Sequence, residues 1–347
     1  MAKVEYRKMG KSGLRVSVPI LGMMSMGSSE WEPWVLDKED ALPILKKAYD
    51  LGVTTWDTAN AYSNGESEIL IREAIERYNI PREELTIMTK IYYPVPKQKK
   101  LGEAFLVDLR QDPKFVNQFG LSRGAIFKQV DACLERLGTG YIDLLQIHRI
   151  DKAVDAEEVM EALNDLVRSG KVRYIGASSM WTYEFMRLQN IADLRGWTKF
   201  VSMQNIYNLV YREEEREMIP YCRASGVGLM PWSPLHQGVL ARPLAATEAK
   251  AGESARAQGT GVFKQYEPDE SGKEIVRRVE EVARKRGWSM AVTALVWVKM
   301  KTVAPVVGIN SVKRLQEAVE IADKELTDEE QRYLEEAYRP QAVFGHF

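Results

Sequence analysis

Short runs of apolar residues, most of them three to six long and bounded by turn-forming residues, alternate along the chain with longer stretches in which apolar positions recur at helical spacing. The runs predict strands at Pro19–Leu21, Thr54–Asp57, Thr86–Thr89, Ile142–Ile147, Tyr174–Ala177, Phe200–Gln204, Gly228–Pro231 and Ala304–Val307. The amphipathic stretches predict helices at Lys38–Leu51, Glu66–Tyr78, Ser122–Leu137, Ala156–Ser169, Tyr183–Arg195, Arg212–Ser225, Ser289–Met300 and Val312–Ile321. Gly52, Gly138, Gly170 and Gly226 follow four of these helices, where a left-handed residue ends a helix at no steric cost. A hairpin, Val4 to Arg7 and Leu14 to Ser17, precedes the alternation.

Eight strands, each followed by a helix, with no Pro/Gly/Ser-rich linker between them, predict an α/β chain closed into one (β/α)8 TIM barrel spanning 1–347. A doubly wound sheet is the alternative. Its Gly-x-Gly-x-x-Gly turn is missing after the first strand, where Gly22-Met23-Met24-Ser25-Met26-Gly27 has the wrong spacing. Two segments exceed the repeat, 91–120 after the third strand and 236–271 after the seventh, and a helix and tail over 322–347 close the chain. Both long segments fall at the carboxyl ends of strands, the face of a barrel that carries its chemistry, so they read as mouth insertions that select substrate. For Ala245–Gly261 plain surface loop is the competing reading.

Composition narrows the partners. The 347 residues carry 48 basic and 49 acidic side chains, a net charge of −1, with no basic excess to neutralise nucleic-acid phosphates or an anionic membrane surface. Cys133 and Cys222 stand alone in helical stretches, and His148, His236 and His346 are scattered, so neither a disulfide framework nor a zinc site is expected. No metal is required, and a reducing cytoplasmic setting follows as the default.

The polar residues at strand ends carry the candidate chemistry. Strand two ends in Trp56-Asp57-Thr58-Ala59-Asn60-Ala61-Tyr62, strand three in Met88-Thr89-Lys90, and strand four in Gln146-Ile147-His148. An ammonium beside a phenol stabilises the phenolate, so Lys90 is expected to lower the pKa of Tyr62, with Asp57 keeping Lys90 charged and oriented. His148 would direct a hydrogen bond at a carbonyl oxygen. Singly, each residue reads as well as a cap, a solvated charge or a satisfied polar group; together they fall at one mouth, on three consecutive strands.

These residues resemble the catalytic-tetrad motifs of the aldo-keto reductases: Asp57-Thr58-Ala59-x-x-Tyr62, Lys90, and Asp143-Leu144-Leu145-Gln146-Ile147-His148. Further matches follow in family order, at Gly170 to Ser179, Gln204-Asn205-x-Tyr207-Asn208, Pro231-Trp232-Ser233-Pro234-Leu235-x-x-Gly238 and Pro305-Val306-Val307-Gly308. The resemblance covers nearly the whole chain and is greatest to the fungal-type aryl-alcohol dehydrogenase and versiconal hemiacetal acetate reductase branch. It implies an NADPH-dependent reductase of aldehydes or ketones, aromatic or polyketide-like, with Tyr62 as general acid, Lys90 and Asp57 tuning it, and His148 orienting the substrate.

It also implies a cofactor site. Gly22, Met23 and Asp57 would border it, Ser178, Ser179 and Gln204 would hold the nicotinamide carboxamide, and Trp232 would stack on the ring. Ser233, Leu235 and Gly238 would follow the pyrophosphate. Ser179 departs from a common Asn, which implies a weaker or rearranged hydrogen bond. Gly308, Asn310, Ser311 and Arg314, with Lys313, would meet the adenosine 2′-phosphate; Asn310 and Ala318 depart from the usual residues, which implies a preference for NADPH over NADH smaller than the family's. Trp31, Trp34, Tyr92 and Tyr93, on loops after strands one and three, read equally as a substrate wall and as anchors holding those loops. Two functions of other classes remain as alternatives: a cofactor-binding regulatory subunit of the aldo-keto-reductase-like type, and a barrel hydrolase, which would need a second acid near Asp57.

Overall fold

The computed structural model describes residues 4–96, 109–245 and 268–346. The parts of the two long insertions at 97–108 and 246–267, and residue 347 of the predicted tail, lie outside the described residues.

The predicted hairpin opens the chain as β1 (Glu5–Lys8) and β2 (Arg15–Val18), paired antiparallel. Eight parallel strands follow in the order β10-β3-β4-β5-β6-β7-β8-β9, namely β3 (Ile20–Gly22), β4 (Thr55–Asp57), β5 (Thr86–Ile91), β6 (Ile142–Ile147), β7 (Val172–Ser178), β8 (Phe200–Gln204), β9 (Gly228–Leu229) and β10 (Val306–Gly308). The edge strands meet: the amide of Val303 donates to Leu229 and that of Val306 to Pro231, each at 2.9 Å, which closes the sheet into the predicted barrel. The hairpin covers its amino-terminal end, with Lys11 donating to Gly226 just ahead of β9 and Ser17 to the Thr55 hydroxyl where β4 starts. The opposite end is left for the strand-end polar residues.

Burial explains why the elements stand where they do. β5 and β6 are buried from Ile87 to Ile91 and from Leu144 to Ile147, facing barrel interior and helices by turns, so they read as continuous apolar runs. The helices begin on side-chain caps: Ser122 accepts from the Ala125 amide ahead of helix Arg123–Leu137, and Asp155 from the Glu157 amide ahead of helix Ala156–Arg168. Gly138 stops helix Arg123–Leu137 with φ +62°.

Two elements depart from the sequence reading. Helix Glu270–Arg286 begins where the second insertion was expected to end and runs through residues assigned to no element; Asp269 caps it and Ile275, Val276, Val279, Val282 and Ala283 form its buried stripe. The helix expected over Arg212–Ser225 exists only at Met218–Ser225. Its first turns are diverted because Glu213 and Glu214 are buried, Glu213 accepting from Tyr338 at 2.6 Å and Gln341 at 2.9 Å, and Glu214 from Asn205 at 2.6 Å. Among the described residues no helix is long and apolar enough to cross a membrane.

Candidate active site

Strand register brings the four candidate residues to one end of the barrel. Asp57 ends β4 opposite Met88 of β5, Lys90 lies opposite Gln146 of β6, and His148 follows β6, its amide bound to the Ile91 carbonyl at 2.9 Å. Tyr62 arrives on the turn after β4. Side chains alternate along a strand, so Gln146 and His148 share the inner face.

Lys90 is the hub. Its Nζ lies 2.5 Å from Asp57 Oδ2, 2.9 Å from the Thr58 carbonyl and 3.2 Å from Tyr62 Oη, while only 1% of the residue is exposed. An ammonium so buried stays protonated because its three acceptors replace water; burial opposes the charge, but Asp57 and Tyr62 raise the Lys90 pKa above its ordinary value. The other oxygen of Asp57 accepts from Gln146 at 2.8 Å and Gln204 at 3.1 Å. The side-chain partners of Asp57 are thus two amides and an ammonium.

Tyr62 departs from the expected direction. Lys90 does pull its pKa down, but burial outweighs that pull and the phenol ends above its ordinary value of 10.0. It is therefore protonated at neutral pH and able to donate. His148 is pushed well below its usual range, chiefly by burial, with Arg149 and Lys90 adding repulsion, so its imidazole is neutral. Its ring meets that of Tyr62 edge-on at 5.8 Å, and Tyr93 packs against its other side at 5.5 Å.

The aromatic residues on the loops divide. Tyr93 reaches His148, whereas Tyr92 accepts a hydrogen bond from Arg110 at 2.9 Å and packs on Phe119, holding the loop down. Trp31 and Trp34 are buried against each other in a small cluster with Val35 and Met24; their loop is tied to the turn that carries Tyr62 by the Ser28 amide, 3.2 Å from Ser63 Oγ.

Around the tetrad, Ser178 Oγ donates to the main-chain carbonyl of Gln204 at 2.7 Å, and the Ser179 amide donates to Asn205 Oδ1 at 2.6 Å. Trp232 is half-buried, and its indole N–H donates to Ser179 Oγ at 3.1 Å. Met23 is fully buried in the core, and Gly22 packs against Val306 and Val307. The turn after Trp232 has positive φ at Ser233, His236, Gln237 and Gly238, and within it the His236 amide donates to the Ser233 carbonyl and the Gly238 amide to the Leu235 carbonyl, each at 2.9 Å. At the last strand, Gly308 and Asn310 are exposed, Ser311 caps helix Val312–Val319 by accepting from the Arg314 amide, and Arg314 donates to Asn310 Oδ1 at 2.7 Å.

This set fits a nicotinamide dinucleotide. Both protons of the Gln204 amide are engaged, on Asp57 and on Gln146 Oε1 at 3.0 Å, which leaves its carbonyl oxygen for an amide donor such as a carboxamide. A half-exposed indole and a helix start with a basic residue suit the ring and the 2′-phosphate.

Three site residues escaped the sequence reading. Gln146 bonds Asp57 directly, and its signal was a lone amide among Leu144, Leu145 and Ile147. The tail residues Phe344, whose ring centroid lies 6.4 Å from that of Trp232, and His346, 3.1 Å from Glu214, reach the site from a stretch with no local pattern.

A family model described as aldo/keto reductase matches residues 20–339. The chain is 53% identical to an aldo-keto reductase of Fusarium vanettenii, over 99% of this chain and 94% of the relative. It is 50% identical to the versiconal hemiacetal acetate reductase of Aspergillus parasiticus, over 98% of each chain, and 50% identical to a putative aryl-alcohol dehydrogenase of Schizosaccharomyces pombe, over 98% of this chain and 97% of the relative.

Proposed function

The chain belongs to the aldo/keto reductase family and is an NADPH-dependent oxidoreductase of carbonyl compounds; within that activity we propose that Asp57, Tyr62, Lys90 and His148 carry the reduction, on a single barrel unit formed by the whole chain. The observation that supports this most directly is the buried chain Asp57–Lys90–Tyr62, which joins a protonated phenol to a fixed ammonium.

When bound, the cofactor supplies the hydride that adds to the carbonyl carbon. The protein supplies the rest. Tyr62 Oη gives its proton to the carbonyl oxygen, turning the developing alkoxide into an alcohol, and Lys90 stabilises the phenolate left behind. Asp57 holds Lys90 in place. Neutral His148 donates a hydrogen bond to the same oxygen, fixing the direction in which the carbonyl enters. Ser178, Ser179, Gln204 and Trp232 would receive the nicotinamide end, Ser233, Leu235 and Gly238 the pyrophosphate, and Asn310, Ser311 and Arg314 the 2′-phosphate. Gly22, Met23 and Gly308 border that path through their strands. A planar aromatic or polyketide-like carbonyl suits the wall that Tyr93 makes beside His148, and it agrees with relatives named for versiconal hemiacetal acetate and aryl alcohols. The absence of any cysteine cluster supports a cytoplasmic setting. The regulatory-subunit alternative draws no support from the relatives, which are named as reductases and dehydrogenases.

The test is Tyr62→Phe. It is expected to bind NADPH as the wild type does while losing more than about a thousandfold in turnover of an aromatic aldehyde, the upper range for general acid catalysis. A variant with wild-type turnover would refute the assignment.

A further inference from the structure

We propose that Gln146 is a positioning residue of the reduction, one that joins the amide receiving the cofactor, Gln204, to the carboxylate holding Lys90, so that cofactor clamp and proton donor are set as one unit. The proposal rests on the roles given above to Tyr62 and Gln204.

Hydrogen-bond polarity carries the argument. A carboxylate only accepts, so the two side-chain amides that meet Asp57 Oδ1 must both present nitrogen to it: Gln146 Nε2 at 2.8 Å and Gln204 Nε2 at 3.1 Å. The second proton of Gln204 goes to Gln146 Oε1 at 3.0 Å. Flipping either amide would set oxygen against oxygen. Turning Gln204 over costs two hydrogen bonds, so Gln146 locks the Gln204 carbonyl outward, in the orientation a carboxamide N–H requires. The same side chain draws charge from Asp57. Of the three Lys90 contacts, the one to Tyr62 is the longest, so a stronger pull from Asp57 would come at its expense.

The fold makes room for this amide. Gly176 lies opposite Gln146 in the sheet register, and a β-carbon on it would stand 3.2 Å from Gln146 Cγ and 2.2 Å from Ser202 Oγ. A buried amide among Leu144, Leu145 and Ile147 costs desolvation that a leucine would avoid, unless its bonds do something packing cannot.

The experiment compares Gln146→Leu with the isosteric Gln146→Glu, reading NADP+ affinity by calorimetry and the pH profile of kcat/KM for aldehyde reduction. Gln146→Leu removes both bonds: NADP+ is expected to bind about tenfold more weakly, and kcat to fall by about tenfold with the alkaline limb moved upward. Gln146→Glu keeps the acceptor for Gln204 but places a carboxylate against Asp57. Its NADP+ affinity should stay within about threefold of the wild type, while its reduction rate, low at neutral pH, recovers as the pH falls and the new carboxyl gains a proton to donate. If Gln146→Leu does not fold, the Gln146→Glu profile decides alone. A wild-type pH profile in Gln146→Glu, or unchanged NADP+ affinity in a folded Gln146→Leu, overturns the proposal. Failure of the underlying roles looks different: Tyr62→Phe would then remain active.

Discussion

Replacing Lys90 by Met tests the site at its hub. Met is close in length to the lysine stem and carries no charge, so the barrel interior stays filled while the ammonium is lost. At the 3.2 Å that separates Lys90 Nζ from Tyr62 Oη, an ion pair at an effective dielectric of about 20 is worth about 5 kcal/mol, using ~332/(ε·r). That stabilisation exists only once Tyr62 has given up its proton, so it belongs to the transition state and not to substrate binding. Its loss predicts a fall in kcat of about 10³- to 10⁴-fold, each ~1.36 kcal/mol being a factor of ten. Stability should also drop. Asp57 would be left buried without its cation, a change that costs about 3–5 kcal/mol in comparable pairs, softened here by the donors Gln146 and Gln204. The assay is steady-state reduction of an aromatic aldehyde, with NADPH affinity and thermal unfolding measured on the same preparation. Lys90→Met is expected to bind NADPH, to unfold several degrees lower, and to turn over at background. Retention of more than about a tenth of wild-type kcat in a folded variant would refute the reasoning, because general acid catalysis supported by the ammonium is worth at least ~10²-fold.

Two further predictions address stability and cofactor choice. His236 is buried with Asn208 at its Nδ1, and burial pulls its pKa from 6.5 to about 4. The unfolded chain binds a proton there first, so this group's contribution is present above the unfolded value and falls away as pH drops toward 4, by about 3 kcal/mol in all; denaturant midpoints of His236→Gln should lack that slope, and an unaltered slope would count against it. At the last strand, Arg314 already donates to Asn310 at 2.7 Å and must share itself with a 2′-phosphate. Arg314→Leu is expected to lower kcat/KM with NADPH by about tenfold and leave NADH unchanged; an equal loss with both cofactors would remove Arg314 from phosphate recognition.

Where one local cause dominated, the sequence was legible. Helix Glu66–Tyr78 and strands Ile142–Ile147 and Phe200–Gln204 stand at their expected limits, because apolar spacing and flanking turn residues agreed there. That Asp57, Tyr62, Lys90 and His148 share one mouth was legible from their joint position at the ends of three consecutive strands, since each alone reads equally as a cap or a satisfied polar group. What failed depended on partners distant in sequence. Glu213 and Glu214 look like the solvated face of a helix until Tyr338, Gln341 and Asn205 bury them. Helix Glu270–Arg286 carried its own cap and stripe, yet lay beside an insertion whose composition masked its start. Gln146 was read only as part of a motif, since nothing local says that its amide faces Asp57 across the barrel.

The direction of the Tyr62 shift bears on what the site is built to do. A phenol lowered toward neutrality would serve either direction, giving a proton in reduction and taking one in alcohol oxidation. Here burial wins over the ammonium, and the resting phenol keeps its proton. Lys90, meanwhile, is held charged by Asp57, so its stabilising effect on a phenolate is present before the reaction begins. Under the proposed roles the resting site therefore holds both the proton and the charge that compensates its departure, so the Tyr62 proton is available to a carbonyl oxygen at neutral pH. His148 is likewise kept neutral. A protonated imidazole would add a third positive charge near Lys90 and Arg149, and burial with repulsion from those two prevents it. The neutral ring can still donate to an incoming oxygen without competing with Tyr62 as the proton source. In the proposed mechanism acid, cation and orienting donor are thus distinguished by their environments: burial keeps Tyr62 and His148 neutral, and Asp57 keeps Lys90 charged.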